Sequence, residues 1–152
     1  MNKMLFSVLS VAMISTLSLA EMNYEVGVGA NYGGIIGVTA NKKIESNVEV
    51  FGGIGLVGAV AGARYYLNDN IRLNTNYGVH GLIVAKESSD DKIKLLHGIN
   101  IGVDYIWGNG ISLGLVYPVT SNADDAVDEL RKKGYDVEKR SIDVLLSLGY
   151  RF

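Results

Sequence analysis

From Asn23 onward the chain alternates large apolar residues with small or polar ones, and the alternation recurs in eight runs. The first sets Tyr24, Val26, Val28 and Ala30 against Asn23, Glu25, Gly27 and Gly29. The second sets Ile36, Val38 and Ala40 against Gly37, Thr39 and Asn41, and the third sets Val48, Val50, Ile54 and Leu56 against Glu49, Phe51, Gly53 and Gly55. In the fourth, Ala61, Ala63, Tyr65 and Leu67 oppose Gly62, Arg64 and Tyr66. The fifth is the most regular: Ile71, Leu73, Thr75, Tyr77 and Val79 alternate with Arg72, Asn74, Asn76, Gly78 and His80. Ile99 to Trp107, Ile111 to Tyr117 and Val144 to Phe152 complete the set. Successive side chains of an extended backbone point to opposite faces, so each run predicts a strand with one apolar face. A helix does not accommodate that period.

The connections differ in kind. Leu67-Asn68-Asp69-Asn70 and Trp107-Gly108-Asn109-Gly110 have the composition of tight hairpin turns. The turn near Asn41 to Asn47 is looser. Two links, around Lys86 to Lys94 and from Thr120 to Ser141, are longer and charged. The last can hold a short surface helix, with Ser121 as its cap, Asp124 and Asp125 in its first turn, Lys132 and Lys133 in its last, and Gly134 at its exit. Tight turns at one end and long links at the other are the asymmetry of transmembrane barrels.

Residues 1–20 break the pattern. Lys3, the apolar run Leu5 to Leu19 and the small residues of Ser18-Leu19-Ala20 predict a signal peptide cleaved after Ala20. The run is shorter than the ~20 residues that a membrane-crossing helix needs. Residues 21–152 are then one barrel domain. Fourteen Lys and Arg against 16 Asp and Glu give no electrostatic case for nucleic acid. The absence of cysteine excludes disulfides and thiolate metal sites.

Alternation does not say which face points outward. The polar face is rich in glycine and poor in lysine and glutamate, which does not suit a face turned to water. Tyr24, Tyr65, Tyr105, Trp107, Tyr150 and Phe152 fall at the same ends of their strands, as an aromatic belt would, with Tyr32 and Tyr117 as candidates for the opposite belt. The apolar face is therefore expected outside. The closing Tyr150-Arg151-Phe152, with this pattern, resembles the small eight-stranded outer-membrane proteins, the group that includes the OmpA transmembrane domain and OmpX. The resemblance implies an all-β, eight-stranded antiparallel transmembrane barrel in an outer membrane, with both termini periplasmic. It also implies contact with outer-membrane lipid and Tyr150 and Phe152 as the signal read by the barrel-assembly machinery.

The inward face is expected to hold Glu25, Glu49, Arg64, Arg72, His80, Asp104, Asp143 and Arg151. Charges there must pair or be hydrated, and Glu49 and Arg64 on adjacent strands form a candidate pair. That set reads as a structural polar plug in a monomer of structural or surface-interacting role, with residues 120–141 as the contact surface for an extracellular partner. Two alternatives stand beside it, a lipid A-modifying barrel enzyme and a narrow channel. For the enzyme, the histidines are His80 and His97 and the inward hydroxyl near the middle is Ser112, with no serine motif beside either histidine. Asp124, Asp125, Asp128 and Glu129 lack the glycine turn of a calcium loop, and Gly27-x-Gly29 lacks the helix of a phosphate loop. Neither a catalytic residue, a metal site nor a cofactor is expected.

Overall fold

The computed structural model describes residues 22–87, 90–135, 137 and 144–152, so the expected signal peptide and Asp143 lie outside the described residues. Eight strands form a closed antiparallel barrel in sequential order. They are β1 (Met22–Gly29), β2 (Gly34–Lys43), β3 (Val48–Gly55), β4 (Ala59–Tyr66), β5 (Ile71–Glu87), β6 (Asp90–Ile106), β7 (Ile111–Pro118) and β8 (Leu145–Arg151). The seam pairs Glu25 with Arg151, Val26 with Tyr150 and Val28 with Leu148. The Phe152 amide also donates to the Tyr24 carbonyl.

Polarity is inverted relative to a soluble barrel. Ile54 is 74% exposed and Leu146 66%, whereas Glu49 and Asn100 are fully buried. Tight turns close the strands at the end where β1 begins and β8 finishes. In the turn from β4 to β5 the Asn68 carboxamide accepts the amides of Asn70 (2.9 Å) and Ile71 (2.8 Å), an Asx turn.

Four features depart from the expected pattern. The hairpin between β1 and β2 does not end in an outward tyrosine. Gly29, Gly33 and Gly34 adopt positive φ, and between them the 3-10 turn Ala30–Tyr32 folds into the barrel. Ala30 and Tyr32 are therefore buried, and Tyr32 is not part of any belt. Second, a bulge between Val79 and Gly81 reverses the faces of β5 there. Val79 turns inward, and His80 leaves the interior set to meet Ser121.

Third, the expected charged loop around Lys86 to Lys94 is strand up to Glu87 and again from Asp90. β5 and β6 run 17 residues each and stay paired out to Glu87 and Asp90, well past the other strands. Fourth, helix α1 (Ala123–Lys132) is not simply a solvated helix. Val127 and Leu130 pack with Ala85, Tyr135 and Val137 in a small core, with Ile83 against it. The helix cap is Asn122, although the Ser121 hydroxyl accepts the Ala123 amide at 3.2 Å. The Asn122 side chain instead bridges to β6, accepting the His97 amide (2.8 Å) and donating to the Leu95 carbonyl (3.2 Å). At the exit the Tyr135 amide donates to the Leu130 carbonyl and Gly134 to that of Arg131, a Schellman ending with Gly134 at positive φ.

The inserted turn makes one glycine position critical. A Cβ on Gly149 would run into the Tyr32 hydroxyl and ring, with the Ser112 hydroxyl next nearest. Gly149→Ala is expected to destabilise the barrel by about 1–3 kcal/mol through overpacking. Tyr32→Ala opens a cavity at a cost of its own, but adding Gly149→Ala to it should then cost almost nothing. Urea unfolding of the four chains gives this cycle; additive costs would contradict the placement of Tyr32.

Candidate functional site

The candidate site is the polar interior. Its charged residues come from six strands: Glu25 on β1, Glu49 on β3, Arg64 on β4, Arg72 on β5, Asp104 on β6 and Arg151 on β8. Each stands at an inward position fixed by the alternation. The barrel wall carries them at one level, and three carboxylates meet three guanidiniums.

Arg72 lies at the centre. Its Nη1 and Nη2 donate to the two Glu25 oxygens at 2.7 and 3.1 Å, and its Nε donates to Asp104 Oδ2 at 2.7 Å. Arg151 joins the seam to the network, with Nε on Glu25 at 2.8 Å and Nη2 on Glu49 at 2.8 and 3.0 Å. Arg64 and Glu49 are direct cross-strand partners, 3.2 Å apart. Arg64 Nη1 also donates to Asn41 Oδ1 at 2.6 Å, and the guanidinium lies 4.0 Å from the centre of the Phe51 ring. Its Nε and Nη2 have no partner among the described residues.

A neutral layer follows toward the far end. The Tyr32 hydroxyl donates to Glu25 Oε2 at 3.1 Å, and Asn31 Nδ2 to Asp104 Oδ1 at 3.2 Å. Asn74 donates to the same Asp104 oxygen at 3.0 Å. Asn100 donates to Asn76 and Asn76 to Asn31, at 2.9 and 3.0 Å. Asn31 and Tyr32 are not among the interior residues expected from the sequence, whereas Asn74, Asn76 and Asn100 stand on the strand faces that the alternation places inside. The signal for these three is the repeated asparagine at inward positions of β5 and β6. For Tyr32 the only hint was the Gly27 and Gly149 pair facing each other across the seam.

Of the expected interior charges, the structure brings together Glu25, Glu49, Arg64, Arg72, Asp104 and Arg151, and leaves out His80. Tyr24, Tyr65, Tyr105, Trp107, Tyr150 and Phe152 all point outward at the end where β1 begins and β8 finishes. Phe152 stacks with Tyr24 and Tyr150 at 6.5 Å each, and Tyr105 meets Trp107 edge-on at 5.0 Å. Tyr117 and Tyr77 point outward nearer the other end, Tyr77 donating to or accepting from His97 Nδ1 at 2.8 Å.

This interior has little reactive chemistry. Each carboxylate already faces a guanidinium, and the described residues contain no cluster of three or more His, Cys, Asp or Glu suited to a metal. One contact of a different kind lies at the far mouth, where His80 Nε2 is 3.0 Å from Ser121 Oγ. Its Nδ1 has no side-chain partner among the described residues, so no described acid stands where a hydrolytic triad would need one. Ser112 lies on the other side of the interior, beside Gly149 and Tyr32. No protein-family model and no curated protein matches the chain.

Outside the barrel, Glu129 on α1 accepts from Lys94 on β6 (2.6 Å) and from Lys133 (2.7 Å). The Lys133 hydrogen bond first and the Lys94 bond second pull its carboxyl from the ordinary 4.5 down to about 2. A carboxyl lowered on folding stabilises above its unfolded value and loses that contribution as pH falls through the folded one.

Two outcomes follow from these contacts. Replacing one member of a buried pair costs about 3–5 kcal/mol, so Arg72→Leu should destabilise by that order, since Asp104 keeps only amide partners. Adding Asp104→Asn should recover part of the loss in urea unfolding; no recovery would mean that Asp104 is not the stranded charge. For α1, hydrogen-exchange protection should decline as pH falls from 4.5 toward 2, and Glu129→Gln should flatten that decline. A pH-independent helix in the wild-type chain would contradict the tie.

Proposed function

We propose that the chain is an outer-membrane barrel of structural or surface-interacting role, with its lumen closed by the polar network and both termini in the periplasm. The observation that carries this reading is the inverted polarity: aliphatic and aromatic side chains cover the outside while five charges are buried within and a sixth, Arg151, is partly buried beside them. Outward apolar residues all round a barrel have no aqueous use, but a bilayer accepts them. The outward rings at the end that holds the termini suit a headgroup interface, where an apolar body and a polar tip are both satisfied. Eight strands leave room for side chains and little else. In this setting Tyr150 and Phe152 serve as the recognition signal during assembly, and the segment 120–141 with α1 is the surface offered to partners outside the cell. The barrel works as a monomer without a cofactor.

An enzymatic reading has one observation in its favour, the Ser121–His80 contact. The substrate would be an acylated lipid reached from the far mouth. No acid among the described residues orients His80, and we retain the non-enzymatic role.

The test has two arms. Purified monomer in planar bilayers should show no steady conductance; large, long-lived, ion-selective steps would replace the closed lumen with a channel. Lipid A acyl chains should be the same in cells with the wild-type gene, without it, and with Ser121→Ala. An acyl change abolished by Ser121→Ala would establish the enzyme.

A further inference from the structure

The outward face of β6 continues past the level at which its neighbour stops. Ile93, Leu95, His97, Ile99, Ile101, Val103 and Tyr105 all point outward on one uninterrupted register. At ~3.3 Å per residue this stripe is ~40 Å long, or ~30 Å high at a usual tilt, against an apolar band of ~25 Å. The excess lies on the β5–β6 hairpin. There Leu82 faces Leu95 and Val84 faces Ile93 across the ladder, with 39% to 64% of each residue exposed. Tyr77 and His97, joined by their hydrogen bond, lie just below this patch, and Tyr117 marks a similar level on β7.

The two faces of the hairpin differ in what covers them. One face puts Ala85 and Ile83 under α1, and Lys94 reaches Glu129 on the helix. The other is aliphatic and bare. We propose that this bare face rests among lipid acyl chains of the leaflet at the helix-bearing end, so that the hairpin leans over the membrane as an overhang of the barrel wall. The inference depends on the membrane setting proposed above. Continuity supports lipid as the occupant, because the patch extends the wall without a break. Area argues against a soluble protein: four half-exposed aliphatic side chains offer roughly 300 Å², well short of the ~800 Å² per partner of a stable interface.

The test places a tryptophan at position 93, 101 or 132 by Ile93→Trp, Ile101→Trp or Lys132→Trp, each in a Trp107→Phe chain. The proteins are refolded into vesicles with and without brominated phosphatidylcholine, and folding is verified by heat-dependent gel shift. The probe at position 93 should lose emission to brominated lipid as the probe at 101 does, while that at 132 responds only to aqueous acrylamide. Leu95→Trp serves as a second probe of the patch. Acrylamide quenching at 93 and 95 with lipid quenching intact at 101 would overturn the overhang and leave the membrane barrel standing. Loss of lipid quenching at 101 as well would overturn both. Shielding of 93 and 95 from both quenchers, relieved by lipid dilution, would assign the patch to a second copy and overturn the lipid assignment.

Discussion

The structure depends on neutralising charge where water is scarce. Glu25, Glu49 and Asp104 against Arg64, Arg72 and Arg151 give a balanced set, and each ion would cost several kcal/mol if stranded. Because the six come from six strands, no single hairpin can satisfy them. Glu25 and Arg151 face each other across the seam between β1 and β8, and both also bond beyond it. An open sheet would leave those groups without their partners. The network therefore favours closure in a way that backbone pairing alone does not, and the wall is free to be apolar on its outer side.

The same constraint accounts for the inserted turn. Above the charged level the interior still needs hydrogen-bonding groups, and the strands supply mainly glycine and asparagine. Tyr32 and Asn31 reach down from Ala30–Tyr32 and bond to Glu25 and Asp104. Gly27 and Gly149 provide the space. The interior is thus filled from the wall and from one end together.

The strand faces were legible because period two is local and each run is long enough to show it. Glu49 with Arg64 was legible for the same reason, since both stand at inward positions on neighbouring strands. Tyr32 was not, because an outward aromatic and an inserted one have the same spacing until three glycines adopt positive φ. The bulge beside Val79 was also hidden: a single extra residue reverses the faces without altering the composition, and so His80 was placed inside. Charge around Lys86 to Lys94 has the composition of a loop, yet the ladder runs out to Glu87 and Asp90, next to Ala85 where it packs against α1. That packing is tertiary, and no window of the sequence contains both partners.

The central claim is that the outer wall faces lipid and the inner wall does not. A nitroxide placed in turn at the outward positions Ile101, Val103, Leu115, Leu146 and Leu148 in vesicles tests it most directly, by collision with oxygen dissolved in lipid and with a nickel chelate dissolved in water. Strong oxygen collisions and weak chelate collisions at all five positions are the expected result. Free access of the chelate to them in a folded barrel would mean that the wall faces water, and it would contradict the account.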